Sequence, residues 1–163
     1  MVYSHIVWTT FLTWQPNDIR GEWNDLRDLY IVDFEGLDLY FSDRLHKNYK
    51  HEVKKYSVTL DLEQRQKLKE IIQELSANNG DRIAGSIPIL DIGINQKQIH
   101  LFVRCKASLM KQKIARLKSR SATLLKFNST SAKNTWSKGI WFVEITEQAD
   151  LSKIESFFHQ IRI

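Results

Sequence analysis

Apolar and polar positions alternate along this chain with two different periods, and the change of period marks its elements. Val2 to Leu12 is dense in Val, Ile, Trp, Thr and Phe and predicts a strand. From Gln98 to Cys105 the alternation is clean: Ile99, Leu101, Val103 and Cys105 on one face, Gln98, His100, Phe102 and Arg104 on the other. Arg82 to Ile94 and Gly139 to Thr146 also read as strands, and Asn95-Gln96-Lys97 as a turn between the second and third. The helical period governs three stretches. Asp61 to Asn78 carries Leu68, Ile71, Ile72 and Leu75 on one stripe, with Asp61 and Gln64 spaced as a capping box and Asn78-Asn79-Gly80 as a stop. Ser108 reads as the cap of a helix reaching about Lys126, with a stripe of Met110, Ile114, Leu117, Ser121 and Leu124. Leu151 to Arg162 is the last helix, its stripe Leu151, Ile154, Phe158 and Ile161. Between the first strand and the first helix lie a loop, Trp14 to Gly21, and an insert over residues 28–57, where Leu29 to Val32 and Leu37 to Phe41 suit a small hairpin.

Without the insert and the last helix, the order is β-α-β-β-α-β. The expected fold is therefore α+β and ferredoxin-like: an antiparallel sheet with helices on one face and the other face open to a ligand. The insert follows the first strand, and an extra helix stands at the C-terminus. Residues 1–163 form one domain, long enough for a substantial core.

Composition changes this picture little, but charge changes it a good deal. Hydrophobic residues make up 42% and charged residues 26%, which excludes a disordered or fibrous chain. The single cysteine, Cys105, excludes an internal disulfide framework and fits a reducing compartment; it stands on an apolar strand face, where a thiol is inert. No apolar run reaches the roughly 18 residues of a membrane span, and Met1 to Trp14 lacks the Lys or Arg of a secretory signal. A cytoplasmic location is expected, at the nucleoid if the chain binds DNA. Net charge is +5, from 24 basic and 19 acidic residues. Between Asp91 and Glu144, however, 52 residues pass without an Asp or Glu. That stretch carries Lys97, Arg104, Lys106, Lys111, Lys113, Arg116, Lys118, Arg120, Lys126, Lys133 and Lys138. A segregated positive half is the footprint of a polyanion binder, since a face serving solubility mixes both signs. The residues from Arg104 to Lys138 are the candidate DNA contacts.

Several phrases, in order along nearly the whole chain, bring one family to the fore. Val7-Trp8-Thr9-Thr10 followed by Trp14-x-Pro16-x-Asp18-x-Arg20-Gly21 resembles the N-terminal signature of the REP-associated tyrosine transposases, single-tyrosine enzymes of the HUH class. Val58-x-Leu60 with Glu63-Gln64-Arg65 resembles the opening of that family's first helix. Gln98 to Val103 stands where the family carries its His-hydrophobe-His strand, and Leu117-Lys118 where it carries a Leu-Lys pair. Trp136-Ser137-Lys138-Gly139 is similar to the phrase before the family's last strand, and Gln160 falls where its Tyr-x-x-x-Gln pattern ends.

The resemblance implies two His and a helix Gln holding a divalent metal that polarises a phosphodiester of single-stranded DNA. The helix Tyr then attacks, leaving a 5′-phosphotyrosine and a free 3′-OH. It also implies a homodimer that exchanges terminal helices, an interface that Phe157 fits. This chain departs from the pattern at both essential points. The implied metal set is Gln98, His100 and Gln160, a weak set for Mg²⁺ or Mn²⁺ because an amide oxygen replaces an imidazole. The nucleophile position is Ser156; every tyrosine lies at or before Tyr56. Ser156 and Gln160 share a helix face opposite the apolar stripe, but His159 is turned about 60° from Ser156 and gives it no base.

The sequence therefore reads as a transposase-like protein that binds single-stranded or hairpin DNA as a homodimer and has lost catalysis. Three rivals share its features, one of them a remnant that folds without binding anything. Another is a divergent active transposase or nuclease using Ser156 or an N-terminal Tyr. The third is an RNA-binding ferredoxin-like module, for which the Lys/Arg-Gly-aromatic strand motif is missing. Trp14, Trp23, Trp136 and Trp141 could stack on unpaired bases, although core packing is the commoner fate of Trp. His46, His51 and Glu52 do not match zinc spacing.

Overall fold

The computed structural model describes residues 2–10, 58–77, 87–125, 135–136, 140–146 and 148–161. Four strands, β1 (Tyr3–Thr9), β2 (Ile89–Ile94), β3 (Gln98–Val103) and β4 (Trp141–Ile145), form one sheet in the order β2-β3-β1-β4. Every pairing is antiparallel. With helices α1 (Leu62–Ala77) and α2 (Ala107–Leu125) inserted between strands, this is the ferredoxin-like arrangement that the alternation predicts. A third helix, α3 (Gln148–Ile161), completes the chain order.

α1 begins where its cap dictates. The Asp61 carboxylate accepts the Gln64 N–H at 2.8 Å, and the Gln64 amide oxygen accepts the Asp61 N–H at 2.9 Å. These reciprocal bonds satisfy two amides that the helix start would leave orphaned. α2 starts at Ala107, so Ser108 stands inside the first turn rather than capping it.

One face of the sheet meets α1 and α2. Ile6 and Trp8 of β1, Ile92 and Ile94 of β2, and Ile99, Leu101 and Val103 of β3 pack there against Leu68, Ile72, Ile114 and Leu117. Those four helix residues are at most 1% exposed, and burying each is worth about 1.5–3 kcal/mol. The α2 stripe ends on Leu125, four residues after the buried Ser121, and not on Leu124, which is 43% exposed. A helix carries Leu124 about 100° away from Leu125, off the stripe.

β2 is shorter than its apolar run. Ile87 and Pro88 precede it, and a register irregularity falls between Ile89 and Asp91. Pro88 has no N–H to give a ladder; its carbonyl accepts the Arg104 N–H at 3.0 Å. β3 likewise stops at Val103, before Arg104 and Cys105. α3 begins at Gln148, nearly a turn before Leu151.

The second face is not open. α3 lies on it, and Ile154 and Phe158 form a second core with Val7, Phe102 and Ile145. The loop from Trp14 to Gly21, the insert over 28–57, the stop at Asn78-Asn79-Gly80 and the trio His46, His51 and Glu52 lie outside the described residues.

Candidate functional site

The strand alternation sends Gln98, His100 and Phe102 of β3 to the face under α3, away from α1 and α2. In the antiparallel register β1 is their neighbour: His5 lies opposite Phe102, and Val7 opposite His100. His5 therefore shares that face, and it reaches across to His100. The two imidazoles stack with centroids 5.2 Å apart, and His5 Nε2 lies 3.0 Å from His100 Nδ1. Nothing in the sequence reading singled out His5. Its signal was the parity of β1, which puts Tyr3, His5 and Val7 together.

The protons of this pair follow from the turn beneath it. Asn95 Oδ1 accepts the backbone N–H of Lys97 at 2.9 Å and of Gln98 at 2.7 Å. Its other terminal atom must then be the amide nitrogen, which donates to Gln98 Oε1 at 2.9 Å. Gln98 Oε1 lies 3.2 Å from His100 Nε2, and an amide oxygen only accepts. His100 thus carries its proton on Nε2. Burial pushes the His100 pKa down to about 3, so the ring is neutral and Nδ1 is bare. Nδ1 then accepts the Nε2–H of His5. Burial first, and His100 second, hold the His5 pKa well below its ordinary value. One directed chain results, from His5 through His100 to Gln98, which Asn95 also supplies with a proton.

α3 closes over the chain. The Phe157 ring stands 5.2 Å from His100 and 5.6 Å from His5, and Phe158 stands 5.4 Å from His5. Both histidines are at most 1% exposed. Gly93, paired with His100 on β2, lets the helix end come close: a Cβ there would collide with the Ile161 side chain. Phe157 thus packs within its own chain.

The structure brings Gln98 and His100 together but leaves Gln160 apart. Gln160 and Ser156 are exposed on the outer side of α3, away from the stripe that packs on the sheet. His159 is exposed as well. Among the described residues no group of three His, Cys, Asp or Glu could hold a metal ion. His100 does not fit a metal either. Its Nε2 bears a proton, and the lone pair of Nδ1 accepts from His5.

The other candidates sit across the sheet. α2 carries Lys111, Lys113, Arg116, Lys118 and Arg120, with Arg104 and Lys106 just before it. Lys113 and Lys118 are half-buried and the others exposed; burial pushes the Lys118 pKa down to about 8. Lys126, Lys133 and Lys138 lie outside the described residues. Trp136 is a core residue: its Nε1–H donates to the Lys118 carbonyl at 2.7 Å and its ring meets Trp8 edge-on. Cys105 is half-buried, and burial raises its thiol pKa, so it stays protonated.

No family model matches the chain, and no curated protein does. Among solved structures, a putative transposase from Deinococcus radiodurans R1 superposes with a TM-score of 0.40 at 13% identity, over 98% of this chain and 90% of that one. A likeness at that level says nothing of activity. Among the described residues no helix is long and apolar enough to cross a membrane.

Proposed function

We propose that this chain is a transposase-like DNA-binding protein that grips single-stranded or hairpin DNA without cutting it. The observation that carries the reading is α2, a helix with five cations inside a stretch of 52 residues without an acid. Its charges stand on the layer opposite the His5–His100 pair, so gripping a phosphate chain asks nothing of that pair. The phrases shared with the single-tyrosine transposases name DNA as the polyanion. Two features support the loss of cleavage. The lone pair of His100 is engaged by His5, and the nucleophile position holds an aliphatic alcohol that faces outward. A homodimer goes with the same resemblance: exchange of α3 between two copies would rebuild the Phe157 contacts across the dimer. Such a protein works in the cytoplasm, at the nucleoid when bound.

Binding to a labelled single strand should weaken linearly with the logarithm of salt, by about 0.7 log units per decade for each phosphate neutralised. Making Lys111, Lys113, Arg116 and Lys118 neutral together should lower both the affinity and that slope. Affinity indifferent to salt, or unchanged in the neutral variant, would remove the basis of the reading.

A further inference from the structure

Among the described residues β4 is an edge strand, and Phe142 on it points to the α2 side of the sheet, where it is half-buried against the core. The Lys111 ammonium stands over this ring, 5.5 Å from its centroid. Lys118 follows seven residues later on nearly the same side of α2, a rise of about 10 Å. The contact thus places an exposed lysine over a half-buried aromatic ring on the margin of the basic helix. Glu144, exposed two residues along β4, stands on the same side of the strand as Phe142.

We propose that Phe142 is the stacking seat for one unpaired base of single-stranded DNA, with Lys111 and Lys118 holding the phosphates on either side of it. This rests on the DNA-binding reading and deepens it by naming the side chain that takes an unpaired base. An exposed lysine over a half-buried ring is a replaceable cover: it can swing onto a phosphate while a base takes its place. A phosphate beside half-buried Lys118 also favours the charge that burial disfavours. Duplex DNA cannot use the seat, because its bases are stacked inside the helix and only a splayed base reaches a ring held between a helix and a strand edge. Stacking on an aromatic needs no base-specific hydrogen bond, so the seat should tolerate any base.

The test compares the unmodified protein with Phe142→Leu, which keeps an apolar filler, on three labelled probes of about 20 nucleotides: oligothymidylate, its abasic counterpart and a blunt duplex. Anisotropy titration should show the variant binding oligothymidylate about five- to a hundred-fold more weakly, with abasic and duplex affinities unchanged. Unchanged oligothymidylate affinity, or an equal loss on all three probes, overturns the seat while leaving DNA binding standing. If the unmodified protein binds none of the probes, the DNA reading itself fails. A second measurement covers a variant that does not fold. The unmodified protein is photocrosslinked to oligothymidylate carrying 5-iododeoxyuridine and digested. A crosslinked peptide containing Phe142 supports the seat, and crosslinks confined to other peptides overturn it.

Discussion

His5 and His100 take up a proton only at the cost of leaving their hydrogen-bond chain or charging a sealed site. In the unfolded chain each ionises near pH 6.5; in the folded chain burial holds both well lower, His100 at about 3. Below about pH 6.5 the unfolded state therefore binds protons that the folded state refuses, and stability falls as pH falls. The stabilisation is present in full above pH 6.5; below that roughly 1.4 kcal/mol is lost per pH unit for each histidine, for His100 down to about pH 3. Urea midpoints measured from pH 7.5 to 5 should drop steeply, and the drop should flatten when both histidines are replaced by glutamine. An equally steep drop in that double variant would mean that other groups set the acid sensitivity. The parity that turns His100 to the second face was legible in the alternation of β3. The partnership with His5 was not, because it depends on β1 lying beside β3, and strand order is a tertiary fact that no local period carries. That Gln98 stands where the resembled family carries a His was legible too. That its amide oxygen accepts from both Asn95 and His100 needed the turn geometry.

At the scale of elements, local chemistry spoke where it acted locally. Asp61 and Gln64 start α1 as their spacing predicts. β2 begins at Ile89, just after Pro88, a signal present in the run but outweighed by its apolar neighbours. The period of the last helix gave its buried stripe, yet not the face on which that stripe would land. A ferredoxin-like pattern leaves one sheet face bare, and only the docking of Ile154 and Phe158 shows that α3 covers it. Gly93 makes this docking close, so its test is a coupling. Gly93→Ala alone should destabilise the protein by about 1–3 kcal/mol, because Ile161 must be displaced. In an Ile161→Ala background the same change should cost much less, giving an interaction energy of about 1 kcal/mol or more by a double-mutant cycle. Additive costs would place the end of α3 elsewhere.

Taken whole, the molecule is a sheet with two unlike coats. On one side α1 and α2 cover the large core, and α2 carries five cations, of which Lys111, Arg116 and Arg120 are exposed. On the other, α3 seals a neutral histidine chain beneath two phenylalanines. The proposed DNA-gripping surface and the sealed histidine pair thus lie on opposite layers, so the proposed grip asks nothing of that pair. One gel experiment tests this most directly. A labelled single strand containing a hairpin is incubated with the protein in Mg²⁺ or Mn²⁺ and run on native and denaturing gels side by side. The account predicts a retarded band on the native gel and the full-length, unretarded strand on the denaturing one. No native shift, a shortened strand, or a species still retarded after denaturation would contradict it.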